Sequence, residues 1–185
     1  GIYALANVAA GNGSGLIIRN NGLDVSGATS LNYVGIYLQG TDGVVITGNR
    51  IGNFDGTTGQ TDIGIWLATG TVNTVIEKNT IYNLVYTGTS GYNAHGIYLS
   101  TGVTGSNNLI KNNLIYNMGG DGDSFASFGN LYNPTGIYLG GATAQTGVEI
   151  SNNTIFLSGN YINGTGTYVA GIALDDNSAA SIRNN

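Results

Sequence analysis

Apolar and polar residues alternate in short blocks along this chain. One block reads glycine, isoleucine, an aromatic residue and leucine, and its second position is Ile in all six copies. Such alternation over a few residues is typical of a β-strand with one buried face. The copies occupy residues 1–4, 35–38, 64–67, 96–99, 136–139 and 171–174, so they recur every 29 to 40 residues.

A second block, Ile-x-x-Asn, follows each copy of the first, and in the first five copies a further aliphatic residue comes two residues after the asparagine. This block also alternates with period two, which predicts a second and a third short strand in each repeat. Its asparagine is present in all six repeats, at Asn21, Asn49, Asn79, Asn113, Asn153 and Asn185.

The repeat length predicts a solenoid, because a fixed period of 20 to 50 residues is the signature of stacked supersecondary units. Strands this short do not enclose a core within one coil, but stacking places Ile over Ile every ~4.8 Å. We therefore predict an all-β fold, a parallel β-helix of five to six coils.

The asparagines are predicted to form a ladder at one corner of this solenoid. A primary amide donates to the coil on one side and accepts from the coil on the other, which satisfies polar groups in a buried turn. The preceding residues are Asn20, Gly48, Lys78, Asn112, Asn152 and Asn184. Asn and Gly tolerate positive φ, whereas Lys78 does not, so we expect local strain or a different turn there.

The composition excludes several classes of protein and partner. Hydrophobic residues make up 41% of the chain and charged residues 8%, unlike a disordered chain, and a single Pro among 32 Gly excludes collagen. The net charge is −5 with only five basic residues, so no nucleic-acid partner is expected. There is no Cys, and no apolar run approaches the roughly 18 residues of a membrane span.

The two blocks together, Gly-Ile-Tyr-Leu followed by Asn-Asn-x-Ile, resemble the right-handed parallel β-helix repeats of pectate-lyase-like proteins and of large bacterial surface proteins. Residues 152–159 and 181–185 resemble very long secreted repeat proteins of Bacteroidetes-type bacteria. The resemblance implies a right-handed coil and an extracellular or cell-surface location. In pectate lyases the sheet that corresponds to the Gly-Ile-Tyr-Leu strands faces the substrate groove.

The aromatic residue of the first block is the first candidate site. Because Ile and Leu of that block point inward, the aromatic residues are predicted to line one external strip with ~4.8 Å between neighbours. The strip suits stacking on sugar rings, but the rings could equally pack on one another and under the loops. The strip residues are Tyr3, Tyr37, Trp66, Tyr98 and Tyr138.

No catalytic residues are assigned. Glycoside hydrolysis needs two carboxylates about 5–10 Å apart, and the acidic residues here are scattered along the chain. The basic residues all lie near the Asn corner, and none lies on the Gly-Ile-Tyr-Leu strands. We therefore expect a non-catalytic structural or adhesive scaffold of a bacterial surface or filament protein. The alternative is a carbohydrate-binding or polysaccharide-degrading module that uses the aromatic strip.

Two further candidates concern titratable residues. Asp121 and Asp123 lie two residues apart in a glycine-rich loop, a spacing that suits Ca²⁺ but is short of a full ligand set, so an ordinary polar turn is the competing interpretation. No other cofactor is expected. His95, the only histidine, is predicted to be structural, with pairing to Asp62 or Asp121 as the alternative.

Residues 1–185 are expected to form a single β-helix segment that belongs to a longer solenoid or stacks end to end with copies of itself, because both ends fall within the repeat. Flanking coils or copies are thus the expected partners, with polysaccharide as a further candidate. Loops after the third strand vary in length and either wall the aromatic strip or cover the sheet. They are predicted at residues 26–34, 54–63, 84–95, 118–135 and 158–170.

Overall fold

The computed structural model describes residues 1–7, 12–56, 59–121, 133–141, 143–157, 169–175 and 177–185, without the side chain of Asp55. The described chain winds through three parallel sheets in turn; the first five coils contribute one strand to each sheet, and the sixth contributes strands to the first and second sheets. The predicted parallel β-helix is confirmed. A two-stranded sheet of β2 (Gly13–Ser14) and β6 (Thr41–Asp42), and a 3-10 turn at Gly27–Thr29, complete the fold.

The first sheet contains β1 (Ile2–Leu5), β5 (Val34–Gln39), β9 (Asp62–Leu67), β12 (Ala94–Leu99), β15 (Thr135–Leu139) and β18 (Ala170–Leu174). The second contains β3 (Ile17–Arg19), β7 (Val45–Thr47), β10 (Val75–Glu77), β13 (Leu109–Lys111), β16 (Val148–Ser151) and β19 (Ala180–Arg183). The third contains β4 (Gly22–Leu23), β8 (Arg50–Gly56), β11 (Thr80–Tyr86), β14 (Leu114–Gly119) and β17 (Thr154–Phe156).

The register places equivalent aliphatic side chains directly over one another in all three sheets. In the second sheet, for example, Ile46 pairs with Ile76 and Ile76 with Ile110, and all three are fully buried. Parallel strands that are buried on their inner face favour β-branched aliphatics at such positions. The core is therefore a set of isoleucine and leucine columns that runs along the solenoid axis.

The glycine of the first block allows a close approach between coils. A Cβ atom at Gly96 would lie 2.6 Å from the carbonyl oxygen of Gly136 in the next coil and 2.7 Å from Cγ2 of Ile115 in the core. Gly35, Gly64 and Gly136 meet the same two kinds of atom at 2.5–2.7 Å. No side chain fits there, which explains why the block begins with glycine.

The third strands are longer than the sequence predicted. β8, β11 and β14 continue to Gly56, Tyr86 and Gly119, although loops were expected to begin at residues 54, 84 and 118. In each strand an asparagine with φ of 52–58° interrupts the pleat, and the strand continues beyond it; these are Asn53, Asn83 and Asn117. One residue in the left-handed conformation bends a strand without ending it, as in a bulge.

The corner before the Asn ladder has the same backbone conformation in every coil. Lys78 has φ of 56°, close to the 52–55° of the asparagines and the 67° of Gly48 at the equivalent positions. The expectation of a different turn at Lys78 is therefore wrong. The neighbouring coils impose the left-handed conformation on a lysine, at a steric cost that Asn and Gly largely avoid.

The longest apolar stretches of the described chain are strands. Among those residues no helix is long and apolar enough to cross a membrane.

Candidate functional site

The Asn ladder is continuous through the described coils. Each side-chain Nδ2 donates to the Oδ1 of the next ladder asparagine at 2.8–3.0 Å, and each backbone N–H donates to the same oxygen at 2.9–3.1 Å. The participants are Asn21, Asn49, Asn79, Asn113, Asn153 and Asn185.

The ladder amides also bind the backbone of the preceding coil. Nδ2 of Asn79 donates to the carbonyl oxygen of Ile46 at 3.0 Å, and Asn49, Asn113 and Asn153 make the equivalent bond. These four asparagines are at most 3% exposed. Their amides are thus buried and satisfied, as the sequence predicted, and they link each coil to both of its neighbours.

The aromatic residues of the first block stack in register, but they are not equally exposed. Tyr3 pairs with Tyr37 and Tyr37 with Trp66, and the column continues through Tyr98 to Tyr138. Tyr3 is 65% exposed, whereas Tyr98 and Tyr138 are 4% and 3% exposed. The prediction of one external strip is therefore wrong for Tyr98 and Tyr138. Aromatic rings on successive coils cover one another. Tyr98 and Tyr138 also belong to a buried cluster with Ile63 and Ala170, and this cluster packs against Trp66.

Most ring faces in this column are occupied by neighbouring rings. Tyr3 and Tyr37 are stacked with centroids 4.5 Å apart, and Tyr98 and Tyr138 are stacked at 5.2 Å. Trp66 interrupts the stack, because its ring is inclined by 83° to Tyr37, and its Nε1 donates to Ser100 Oγ at 2.8 Å. Rings that stack on one another turn their edges, and not their faces, towards solvent. The column departs from this arrangement at Trp66.

A groove lies beside this break. It has a volume of about 450 Å³ and is bounded by the aromatic strip on one side and by the chain that leads into β5 on the other. Its lining includes Tyr3, Tyr37 and Trp66 from the strip, and Leu31, Asn32 and Tyr33 from the wall. The volume falls within the range of about 300–1,000 Å³ that is usual for small-molecule sites.

Tyr33 forms the wall of this groove in an unusual backbone conformation. Its φ is 154°, its ring is inclined by 83° to Trp66 at 6.2 Å, and its carbonyl oxygen accepts a hydrogen bond from the Ile63 N–H at 2.6 Å. Sparsely populated conformations of non-glycine residues cluster at ligand clamps and active sites. The sequence carried no signal for this residue, because Tyr33 lies outside both repeated blocks.

The groove is lined by uncharged side chains, as far as its residues are described. None of the residues named in its lining has a charged side chain at pH 7, and burial raises the pKa of both the Tyr33 and the Tyr37 phenol, so these hydroxyls stay protonated. The arrangement offers aromatic surface, the phenols of Tyr3, Tyr33 and Tyr37, and the Asn32 amide. The described residues of the lining include no carboxylate or imidazole for acid–base chemistry.

His95 is fully buried in the first sheet. It pairs with Ile63 in the preceding coil and Thr135 in the next, and its ring lies 5.7 Å from Tyr98 and 5.1 Å from Tyr138. Burial lowers the pKa of the imidazole to about 3. The predicted structural position is thus observed, and no hydrogen bond joins the His95 ring to Asp62, Asp121 or any other described residue.

The calcium candidate is only partly described. The Asp121 carboxylate is 7% exposed and accepts a hydrogen bond from the Gly91 N–H at 2.7 Å, while Asp123 lies outside the described residues. Within the described ranges no group of three or more His, Cys, Asp or Glu residues could hold a metal ion. Calcium binding at Asp121 and Asp123 stays a prediction.

Sequence reasoning missed a second asparagine ladder and a second aromatic stack, both on the third sheet. Nδ2 of Asn83 donates to Asn53 Oδ1 at 3.1 Å, and Nδ2 of Asn117 donates to Asn83 Oδ1 at 2.9 Å. Tyr82 and Tyr116 stack at 5.3 Å. The signal was present in the repeated Ile-x-Asn of these strands.

An ionic cluster holds the first three coils together at the edge of that stack. Arg50 lies 2.7 Å from the Asp24 carboxylate, and the Tyr82 hydroxyl donates to the same carboxylate at 2.8 Å. Arg50 also donates to the Tyr82 hydroxyl at 3.2 Å, and these contacts raise the pKa of the guanidinium. Every member has its partners within the cluster, so it serves as a structural link.

Comparison with known proteins identifies one family. A family model described as "Right handed beta helix region" matches residues 4–185, which is nearly the whole chain. No curated protein and no solved structure matches the chain.

Proposed function

Since the chain belongs to the right-handed β-helix family, we propose that it is a non-catalytic structural or adhesive scaffold of a bacterial surface or filament protein. The Asn ladder is the observation that carries this proposal. Its hydrogen bonds run unbroken from coil to coil, parallel to the isoleucine columns. A rod built in this way distributes load over many equivalent bonds, which suits an extracellular support.

The partners proposed for this scaffold are further β-helix coils or copies of the chain. Each described coil presents the same register to its neighbours, with Ile over Ile and Asn over Asn. A coil with the same two blocks would therefore stack on these coils in the same way.

Immunolabelling of intact cells of the producing bacterium tests the scaffold. The expected result is labelling without permeabilisation, together with slow digestion of the purified protein by proteases. Label that appears only after permeabilisation would contradict the proposed location. Depolymerisation of any polysaccharide by the protein would contradict the non-catalytic role.

The groove beside Trp66 supports a second candidate function, the binding of a neutral saccharide. A sugar ring combines apolar C–H faces with hydroxyls, and the groove combines aromatic surface with phenolic hydroxyls and an amide. The absence of charge in its lining disfavours an acidic polysaccharide. The conformation of Tyr33 supplies independent support, since strained backbone of non-glycine residues clusters at ligand-binding sites.

A glycan array with matched variants tests this second function. Trp66→Ala and Tyr33→Ala are each expected to weaken binding of a neutral glycan about tenfold, which corresponds to ~1.4 kcal/mol. Phe156→Ala is the matched control, because Phe156 is an aromatic residue 57% exposed on the third sheet, away from the groove. Equal binding by all three variants would exclude the groove as the site.

A further inference from the structure

The imidazole of His95 is a buried titratable group that no function described above uses. It is 0% exposed, and neither Nδ1 nor Nε2 has a hydrogen-bond partner among the described residues. Its surroundings are the rings of Tyr98 and Tyr138 and its register partners Ile63 and Thr135. An uncharged imidazole is tolerated in such a place, but an imidazolium without a partner is not.

We propose that His95 makes this part of the first sheet acid-labile, because its imidazole takes up a proton only when the cluster around Tyr98 and Tyr138 opens to water. Opening would also present the two tyrosines beside Trp66 and so lengthen the aromatic surface next to the groove. The acid response itself is independent of whether the groove binds a saccharide.

Among the described residues, the charged and titratable groups around His95 do not offer the proton a partner. β9, β12 and β15 carry no lysine or arginine, and β11 and β14, which pack against β12, carry no charged residue. Asp62 lies next to Ile63 on β9, and Asp121 is hydrogen bonded to the Gly91 N–H. Neither ring nitrogen of His95 is hydrogen bonded to a described carboxylate.

The direction of the pH dependence follows from the position of the folded-state pKa. Burial lowers the pKa of His95 from 6.5 to about 3, so the opened state binds more protons than the closed state at any pH between these values. The closed cluster is fully stable above pH 6.5 and loses stability as the pH falls towards about 3. Between pH 7 and pH 5 the equilibrium constant for opening should rise about 25-fold.

The first test is a nuclear magnetic resonance titration of the imidazole, whose signals are unambiguous because the chain has one histidine. The ring signals are expected to keep the neutral position through pH 5 while the protein stays folded. They should change only together with loss of protection in β12 and β15. Titration near pH 6.5 in an otherwise unchanged fold would overturn the proposal without any variant being made.

The second test compares amide hydrogen exchange in the wild type and in His95→Ile at pH 7 and pH 5, corrected for intrinsic exchange rates. Isoleucine occupies the equivalent position in the preceding coil, at Ile63. Protection factors in β12 and β15 should fall about 25-fold in the wild type and stay nearly constant in the variant. Asp62→Asn is the control for the neighbouring carboxylate and should behave like the wild type. Equal pH dependence in wild type and His95→Ile, or its loss in Asp62→Asn, would refute the role of His95.

Discussion

At the scale of single residues, a few polar side chains in this chain have roles that their chemical type alone explains. Asn79 accepts two hydrogen bonds from Asn49, donates to Asn113 and donates to the Ile46 carbonyl, all within a buried corner. Only a primary amide supplies donors and an acceptor in one short, flat group. At Lys78 the residue type does not explain the structure, because the fold imposes a left-handed backbone conformation that lysine disfavours.

Substitution of one ladder asparagine tests how much the Asn ladder contributes to stability. Asn79→Ala removes the acceptor of the Asn49 backbone N–H, and an unsatisfied buried donor costs about 1–3 kcal/mol. It also removes the side-chain hydrogen bonds that Asn79 exchanges with Asn49 and Asn113. We expect the melting temperature to fall by several degrees, measured by circular dichroism, with any ligand binding at the groove unchanged.

Thr80→Ala is the control for Asn79→Ala, because Thr80 is the next residue, is half-buried, lies outside the ladder and does not have positive φ. The melting temperature of this control should fall clearly less than that of Asn79→Ala. Equal melting of Asn79→Ala and the wild type would mean that the buried ladder adds nothing to stability.

Lys78 offers a stabilising substitution. Lys78→Asn should raise the free energy of unfolding by about 1 kcal/mol, because the left-handed conformation costs most residues roughly 1–2 kcal/mol and asparagine less. Chemical denaturation of Lys78→Asn measures the gain. Lys111→Asn is the control, because Lys111 does not have positive φ, and it should not raise the free energy of unfolding. A gain in Lys111→Asn would show that the loss of a positive charge, and not the backbone conformation, stabilises the protein.

At the scale of elements, five strands of the first sheet, from β1 to β15, depend on a glycine that allows the next coil to approach closely. The Gly-Ile-aromatic-Leu block is therefore more than an alternating pattern, since its first residue sits against the next coil and its second and fourth fill the core. The aromatic third position then stacks on its counterparts. Whether a given ring is exposed depends on what packs over the strand, which differs between coils.

Gly96→Ala should destabilise the protein by about 1–3 kcal/mol, because the new methyl group would overlap the Gly136 carbonyl and Ile115. Gly171→Ala is a matched control from the same block, since the nearest atom to its added Cβ is 3.9 Å away. Thermal melting of both variants gives the comparison. Equal tolerance at the two positions would show that the close approach between coils is not required.

At the scale of the whole molecule, ion pairs contribute little to a fold built on stacked columns. Glu77 and Lys111 occupy equivalent positions of adjacent coils, and their charged groups lie 3.5 Å apart. Arg183 pairs with Glu149 in the same sheet and lowers the pKa of that carboxyl. Exposed pairs of this kind add about 0–1 kcal/mol at most.

Added salt should therefore have a small effect on this protein. At about 1 M salt, where the Debye length is ~3 Å, we expect the melting temperature to move by only a few degrees. A scan of melting temperature against sodium chloride checks this. A large fall with salt would indicate that the charge network, and not the Ile and Asn columns, holds the coils together.

The sequence by itself determined the repeat, the three strands in each coil, the inward isoleucines and the Asn ladder. These features follow from local periodicity, since every coil repeats the same residue at the same step. The position of His95 beside the isoleucine and threonine of neighbouring coils could also be predicted, because register alone sets it.

Only the tertiary structure decided which aromatic residues are buried, that Trp66 breaks the stack, and that Tyr33 closes a groove. The burial of Tyr98 and Tyr138 and the conformation of Tyr33 depend on segments outside the repeated blocks, which have no period to reveal where they pack. The sequence also did not predict that the third strands continue through Asn53, Asn83 and Asn117. Asparagine usually marks the end of a strand, and here cross-coil hydrogen bonds stabilise it within one.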